Sequence, residues 1–227
     1  MLLDGEGAPR EHRAMRLYGF FRSSASYRAR IALNLKGLKY EYVSVNLSKN
    51  ESWSEAFRRV NPQGIVPALE DRGVIVPQSI AICEYLEERF PIPPILPPDP
   101  AGRARVRAIT LNIACEIHPL NNRRTQAYLS ENLRIFEDQV GEWCRHWIAL
   151  NFAALERTLS ESSETGRYCH GDTPTLADIF LVPQVFNAGR VNQDMTPYPT
   201  ICRINQECLK LEAFAAAHPD RQPDAVK

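Results

Sequence analysis

The stretch Phe21-Arg22-Ser23-Ser24-Ala25-Ser26-Tyr27-Arg28 follows a short apolar run and begins a helical pattern. A strand that ends in clustered serines and continues as a helix leaves backbone N–H groups and hydroxyls free at one point. Such a helix N-terminus attracts anions, including a thiolate. Because the stretch contains no cysteine, a thiolate held there would come from a ligand. The alternative is that the serines only cap the helix and form its loop.

Composition limits the classes of function. The chain has 227 residues, enough for one large domain or two small ones, and its 44% hydrophobic and 24% charged residues are ordinary for a globular protein. The 27 basic and 27 acidic residues cancel, which argues against a nucleic-acid or membrane partner but leaves room for a local basic pocket. No apolar run reaches the roughly 20 residues that span a bilayer.

The N-terminus and the cysteines both favour a cytoplasmic location. Residues 1–14 mix charges with glycine, lack the apolar core of a secretory signal and are predicted to be a disordered leader. The six cysteines are scattered, with no CxxC pair and no zinc-type spacing to histidine. We therefore expect free buried thiols in a reducing compartment, and no metal site.

Residues 15–98 carry the pattern of a compact α/β domain in the order βαβ, helix, ββα. The βαβ unit implies parallel strands joined by a right-handed crossover, and Gly37 stands where a glycine ends the first helix. The predicted strands cover residues 15–21, 40–47, 68–70 and 74–76, and the predicted helices cover 26–36, 51–60 and 80–90.

Two short motifs in this domain suggest ligand contacts. Proline cannot donate to a sheet ladder, so Pro67 is expected at a strand start or edge. A cis Val66–Pro67 bond would turn the Val66 N–H and C=O outward to pair with an extended peptide, whereas a trans proline would only mark an edge. After Gln78, Ser79 is a natural helix cap whose hydroxyl and N–H suit a carboxylate; capping its own helix is the alternative.

A proline-rich segment divides the chain. Pro91 to Pro100 holds six prolines in ten residues, which predicts a stiff linker and a boundary between domains 15–98 and 99–227. Beyond it no convincing strand appears, so the second domain is predicted to be all-helical. Asp178 completes a capping box with Thr175 and is expected to be structural, not a catalytic acid. The predicted helices cover residues 101–115, 122–133, 136–159, 175–186 and 200–217.

Together these motifs resemble the cytosolic glutathione transferases. The likeness rests on the strand–SSxSxR–helix start, the Val-Pro strand, the Gln-Ser helix cap and the helical second half. Over residues 15–224 the chain is similar to the zeta class of that family. The stretches that carry the zeta likeness are Arg22-Ser23-Ser24-Ala25-Ser26-Tyr27-Arg28, Ile117-His118-Pro119-Leu120-Asn121-Asn122, Leu181-Val182-Pro183-Gln184-Val185, Asp194-Met195-Thr196-Pro197-Tyr198-Pro199 and Arg221-Gln222-Pro223-Asp224.

The resemblance implies a fold, a cofactor and a reaction. The fold is a thioredoxin-like α/β domain followed by an all-α domain, in a homodimer. The cofactor is glutathione, and the reaction is cis–trans isomerisation of maleylacetoacetate or maleylpyruvate, dicarboxylates from the catabolism of aromatic compounds such as aromatic amino acids. A thiolate adds to the cis alkene, the resulting single bond rotates, and elimination returns the trans alkene, so no glutathione is consumed.

The resemblance also implies a set of glutathione contacts in both halves of the chain. They are Ser23 and Ser24 for the sulfur, Val66 for the cysteinyl backbone, Gln78 and Ser79 for the γ-glutamyl end, His118 and Asn122 from the helical half, and Ser26, Pro67 and Arg123 beside them. His118 is expected to donate or accept a hydrogen bond, because the addition needs no protein base.

Arginines are the natural groups to hold the substrate and its developing charge, because the planar guanidinium binds carboxylates and enolates bidentately. Arg22, Arg124 and Arg190 are therefore predicted to be catalytic, together with Ser23 and Ser24. For Arg28, in the same helix, a buried ion pair at the domain interface is as good an interpretation as ligand contact.

One departure from the zeta pattern bears on the substrate. The class has cysteine where this chain has Ala25, so thiolate stabilisation falls to hydroxyls, backbone N–H groups and arginines. Maleylpyruvate isomerases of the family also lack that cysteine, and the Arg123-Arg124 pair is similar to theirs. Because bacterial maleylacetoacetate isomerases can carry an arginine there too, both substrates stay open.

Two other functions also stay open. One is a general glutathione transferase or α-haloacid dehalogenase that uses the same site, and the other is a non-catalytic binding protein with this fold. The pairs Ser23-Ser24, Val66-Pro67 and Gln78-Ser79 argue against the second, because a scaffold has no need of glutathione contacts.

Overall fold

The computed structural model describes residues 15–225, so the predicted leader, residues 1–14, lies outside the described residues. Four strands form one mixed sheet in the order β2-β1-β3-β4. β1 runs parallel to β2 and antiparallel to β3, which is antiparallel to β4. A parallel neighbour requires a crossover, and the first helix supplies it. The strands are β1 Arg16–Gly19, β2 Glu41–Ser44, β3 Ala68–Asp71 and β4 Val74–Pro77.

Three helices accompany the sheet: α1 Ser24–Leu35, α2 Glu55–Val60 and α3 Ser79–Arg89. Gly37 follows α1 with φ +65°, the left-handed conformation predicted for a glycine that ends a helix. The predicted helix over residues 51–60 is divided, because Ser54 caps α2 by accepting a hydrogen bond from the Phe57 N–H and leaves a 3₁₀ turn, Glu51–Trp53, before it.

The first two strands are shorter than predicted. The register of β1 and β2 ends at Gly19 opposite Ser44, so the apolar residues beyond leave the sheet. They form a separate buried cluster, in which Phe20, Phe21 and Val45 pack with Phe57 and Val66. The apolar pattern predicted burial correctly, but hydrophobicity alone does not distinguish a strand from a buried loop.

Within residues 100–225 the regular elements are all helical. Three predicted boundaries were wrong, one of them at the helix predicted over residues 175–186, which continues to Arg190. The first helix of this half continues beyond residue 115 through a wide turn, Asn112–Ile117, and the helix predicted over 200–217 breaks at Lys210 and Leu211. None of the helices in the described part of the chain is long and apolar enough to cross a membrane. The helices are α4 Pro100–Leu111, α5 His118–Asn121, α6 Arg123–Ala127, α7 Glu137–Ser160, α8 Leu176–Arg190, α9 Pro199–Leu209 and α10 Glu212–Ala216.

One hydrophobic core joins the sheet to the helices, and it includes Leu17, Ile82, Phe152 and Phe180. The proline-rich segment is packed down rather than extended, since the Ile95 N–H donates to Glu87 Oε2 at 2.9 Å. The division into domains 15–98 and 99–227 remains a prediction.

Asp178 has the structural role predicted for it. Its buried carboxylate accepts hydrogen bonds from the N–H of Thr175 at 2.7 Å, the Thr175 hydroxyl at 2.9 Å and the N–H of Cys169 at 2.8 Å. These contacts fix the start of α8, the helix that packs against α1.

Candidate active site

The start of α1 presents one hydroxyl that the fold itself does not use. Ser23 caps the helix, since its Oγ accepts a hydrogen bond from the Ser26 N–H at 3.2 Å, and the Ser26 Oγ accepts one from the Phe20 N–H at 3.3 Å. Ser24, the first helical residue, is buried, and its hydroxyl has no hydrogen-bond partner within residues 15–225. The first turn of α1 carries no acidic side chain, so its positive end is available to an anion.

Val66 lies beside this helix start with its backbone unpaired. The Val66–Pro67 bond is cis, as the sequence suggested, and the Val66 side chain packs in the cluster that contains Phe20 and Phe21. Within the described residues neither its N–H nor its C=O makes a hydrogen bond. A free donor and acceptor on one residue suit an extended peptide ligand.

The start of α3 is formed by Gln78, whose backbone is strained, and Ser79, the first helical residue. Gln78 has φ +71° and ψ 124°, a conformation that glycine adopts readily and glutamine does not, and its side chain does not cap the helix. Its Nε2 instead donates to Gln63 Oε1 at 2.8 Å. Such outliers cluster at ligand clamps, where the surroundings hold them in place.

Arg28 reaches Ser79 from the opposite helix. Its Nη1 donates to Ser79 Oγ at 3.5 Å, and its guanidinium lies over the Phe180 ring, 4.3 Å from the centroid. The expectation of a buried ion pair was wrong for the described residues, because none of their carboxylates lies within ion-pair distance of Arg28. Arg28 is 1% exposed, and its Nε and Nη2 atoms have no hydrogen-bond partner among the described residues. Burial lowers the pKa of Arg28 to about 9, so it stays cationic at pH 7.

His118 adjoins the same cation. Its Nδ1 is shielded from solvent and has no partner among the described residues. Burial, with the positive charge of Arg28 as a second cause, lowers the pKa of His118 to about 3. The imidazole is therefore neutral at physiological pH and suited to hydrogen bonding. So low a pKa also makes it a weak general base, as the sequence analysis expected.

Arg22 and Arg190 bring two positive charges together beside Ser23. Both are exposed, and neither forms an ion pair within the part of the chain that the structure describes. Partial desolvation lowers the pKa of Arg190, and the charge of Arg22 lowers it further. Two cations that repel each other without a protein counter-ion are suited to a ligand with more than one negative charge.

The structure does not bring every predicted residue to this place. Asn122 caps α6, since its Oδ1 accepts a hydrogen bond from the Thr125 N–H at 3.1 Å. Arg123 and Arg124 are exposed at the start of that helix, and the described residues include no hydrogen-bond or ion-pair partner for either. Their roles, and that of Asn122 toward glutathione, remain predictions.

Two residues that the sequence analysis did not select hold the loop in front of the serines. Arg30, fully buried, donates from Nη2 to the Phe21 carbonyl at 3.0 Å and from Nε to the Ala217 carbonyl at 2.9 Å. Asp224 accepts a hydrogen bond from the Phe21 N–H. Asp224 ends one of the stretches that carry the zeta likeness, whereas Arg30 lies two residues beyond another, so the sequence offered no direct signal for Arg30.

Comparison with known proteins agrees with this geometry. The family model described as the N-terminal domain of glutathione S-transferases matches residues 13–88. A maleylpyruvate isomerase from a Ralstonia species is 49% identical over 93% of this chain and 100% of its own. The maleylacetoacetate isomerase of Mus musculus is 48% identical over 92% and 94%.

Two solved structures have the same fold along nearly the whole chain. The holo structure of a maleylpyruvate isomerase, described as a bacterial glutathione S-transferase of the zeta class, superposes with TM-score 0.92 at 48% identity, covering 93% of this chain and 100% of that one. The maleylacetoacetate isomerase of Methylobacterium extorquens AM1, with malonate and glutathione bound, gives 0.91 at 41% identity, with coverages of 93% and 100%. This chain therefore belongs to the zeta-class glutathione S-transferase family.

Proposed function

We propose that this protein is a glutathione-dependent cis–trans isomerase of maleyl 2-oxo acids, with maleylacetoacetate or maleylpyruvate as substrate. The observation that carries the proposal is the Ser24 hydroxyl at the start of α1, which has no partner within the described residues and lies next to the neighbouring cations Arg22 and Arg190. A thiolate and a dianionic substrate are the two ligands that this combination fits.

The residues present fit glutathione as the cofactor. Val66 supplies a free backbone donor and acceptor, and Ser79 supplies a hydroxyl at the start of α3. When bound, glutathione supplies a thiolate that adds reversibly to the alkene, so that the bond becomes single and rotates. The protein's task is to keep that thiol ionised, to orient the substrate and to stabilise the charge that develops on the substrate oxygen.

Each task falls to a different group. Ser24 donates its hydroxyl to the sulfur, and the N–H groups of the first turn of α1 add their partial positive charge. Arg22 and Arg190 clamp the carboxylate and the developing enolate, which needs donors already in place when the charge forms. No general base is required, so the neutral His118 contributes a hydrogen bond only.

Ala25 and the Arg123-Arg124 pair favour maleylpyruvate as substrate. Ala25 is buried where the zeta pattern has cysteine, so the serine site acts without a second thiol. The relatives themselves do not separate the substrates. The maleylpyruvate isomerase from Ralstonia is 49% identical to this chain, and the maleylacetoacetate isomerase of Mus musculus is 48% identical to it. We further propose a homodimer in a reducing cytoplasm, where the six cysteines, all free in the structure, remain thiols.

The test is a spectrophotometric assay. Loss of the cis-enone absorbance of maleylpyruvate and of maleylacetoacetate is followed with and without catalytic amounts of glutathione. Fast turnover of one of them that requires glutathione supports the proposal and names the substrate. Glutathione binding without turnover of either would contradict it and favour the transferase or dehalogenase, in which glutathione is consumed or halide is released.

A further inference from the structure

Arg28 is a buried cation with no counter-ion among the described residues. Within residues 15–225 the groups that act against the effect of burial on the pKa of Arg28 are the cysteines Cys83 and Cys115, and no carboxylate is among them. Burial raises the pKa of Cys83 to about 12, so that thiol is uncharged at pH 7. A buried charge is costly unless it is paired. The described residues therefore supply no anion for Arg28, and an anionic ligand could supply it.

The one polar contact of Arg28 indicates where that anion lies. A guanidinium can only donate, so Ser79 Oγ must accept the hydrogen bond from Nη1, and the Ser79 O–H proton is left to point elsewhere. Ser79 is the first residue of α3, a helix of eleven residues with no acidic side chain in its first turn and no side-chain cap on its preceding residue. Behind this helix N-terminus, Arg28 adds a full positive charge to the partial charge of the backbone.

We propose that Arg28 is a positioning residue for the α-carboxylate of the γ-glutamyl group of glutathione, acting through Ser79. The inference rests on the proposed function, since it takes glutathione as the ligand. Arg28 turns the Ser79 hydroxyl toward the carboxylate and polarises it, and the carboxylate completes the charge balance of the buried guanidinium. The Nε and Nη2 atoms are shielded from solvent, so Arg28 does not touch the ligand itself.

The alternative is that Arg28 only fills space against Phe180. That role would affect every ligand of the site equally. A role toward one carboxylate would affect only the ligands that carry this carboxylate. Binding of ligands that differ in a single group therefore distinguishes the two roles of Arg28.

The experiment measures dissociation constants by calorimetry for three ligands: glutathione, S-methylglutathione, and 4-aminobutanoyl-cysteinylglycine, which lacks only the γ-glutamyl α-carboxylate. For the native protein we expect the third ligand to bind at least about tenfold more weakly than glutathione. Arg28→Gln should weaken glutathione and S-methylglutathione by about tenfold and change the third ligand less than about twofold, so that the preference is lost. Arg28→Lys, which keeps the positive charge, should preserve part of the preference for ligands that carry the α-carboxylate.

Arg105→Gln is the matched control. It removes another partly buried guanidinium, which donates to the Cys169 carbonyl at 2.7 Å and to Thr165 Oγ1 at 2.8 Å, and it should leave all three dissociation constants unchanged. Equal weakening of the three ligands by Arg28→Gln, or an unchanged preference, would overturn the inference.

A second measurement applies if Arg28→Gln does not fold. In protein labelled at arginine ¹⁵Nε, the resonance assigned by its loss in Arg28→Lys should move with glutathione and S-methylglutathione but not with the decarboxylated ligand. An equal movement with all three would refute the role. The isomerase assay is independent of these readouts, so a failed carboxylate preference in an active enzyme refutes only this inference.

Discussion

The Asp224 carboxylate accepts a hydrogen bond from the Phe21 N–H at 3.0 Å, although the two residues lie 203 positions apart in the sequence. The same oxygen accepts bonds from the Ser44 hydroxyl at 3.0 Å and the Tyr42 hydroxyl at 3.3 Å. The end of the chain thereby fixes the end of β1 to β2. Because Arg22 and Ser23 follow directly, the C-terminal segment helps to position the predicted catalytic loop.

Asp224→Ala should therefore affect both stability and binding. It leaves the N–H of Phe21 without its partner, and we expect the free energy of unfolding to fall by about 2 kcal/mol. Urea denaturation measures this change, and the KM for glutathione should rise as the loop loosens. Asp224→Asn, which keeps a carbonyl acceptor, is the control and should lose less. An alanine variant as stable and as active as the native protein would show that the contact is unimportant.

The sequence predicted the parts of this site that depend on local chemistry. Clustered serines at a strand–helix junction, a Val-Pro step and a Gln-Ser cap each predict a backbone conformation within a few residues. The cis bond at Pro67 and the cap at Ser23 agree with two of them. The predicted cap at Ser79 was wrong, because Gln78 holds the capping position and Ser79 is already the first helical residue of α3. Strand ends were predicted less well, because the end of β1 depends on which residues of β2 pair with it.

Long-range partners could not be derived from the sequence. Nothing local distinguishes an arginine that meets a buried carboxylate from one that does not. The sequence therefore left Arg28 between a buried ion pair and ligand contact, and the described residues contain no ion pair for it. The hydrogen bonds of Asp224 and Arg30 likewise form only when the C-terminal segment packs beside α1, so the sequence alone does not predict them. Which of the two serines is free was also undecided until the cap of α1 was seen.

Ser23 and Ser24 should separate stability from catalysis. Ser23→Ala removes the cap of α1 and should lower the free energy of unfolding by about 1 kcal/mol. Ser24→Ala removes a hydroxyl that the fold does not use and should leave stability nearly unchanged, while kcat falls by about a hundredfold. Denaturation curves and turnover measured on the same preparations test this contrast. The reverse assignment, with Ser24→Ala unstable but active, would identify Ser23 as the group that holds the sulfur.

Removing one charge of the Arg22 and Arg190 pair should change stability and activity in opposite directions. Because the two charges repel each other, Arg22→Gln should slightly raise stability at low salt, where screening is weak. The same change should lower kcat/KM by at least tenfold, since one clamp on the dianionic substrate is lost. Arg58→Gln, at an exposed arginine on α2, is a control that should leave turnover unchanged. A loss of both stability and activity in Arg22→Gln would mean that Arg22 has a protein partner.

The lowered pKa of His118 predicts a specific dependence of stability on pH. In the folded protein its pKa is about 3, below the usual value of 6.5, so between these values the unfolded chain binds the additional proton. Stability is therefore fully present above pH 6.5 and is lost as the pH falls toward 3, with a slope from this group below about 1.4 kcal/mol per pH unit, the limit for one proton.

His118→Gln should flatten this dependence between pH 4.5 and 6.5. Glutamine keeps a hydrogen-bonding group but does not titrate, so the difference in unfolding free energy between the variant and the native protein should itself vary with pH. His170→Gln, at a partly buried histidine beside Arg105, is the comparison that should not remove the effect. The pH profile of kcat should keep its shape in His118→Gln, because a group that is neutral across the working range contributes no inflection. An inflection near pH 6.5 that disappears in this variant would mean that His118 titrates in the active enzyme, and its role as a neutral hydrogen-bonding group would have to be abandoned.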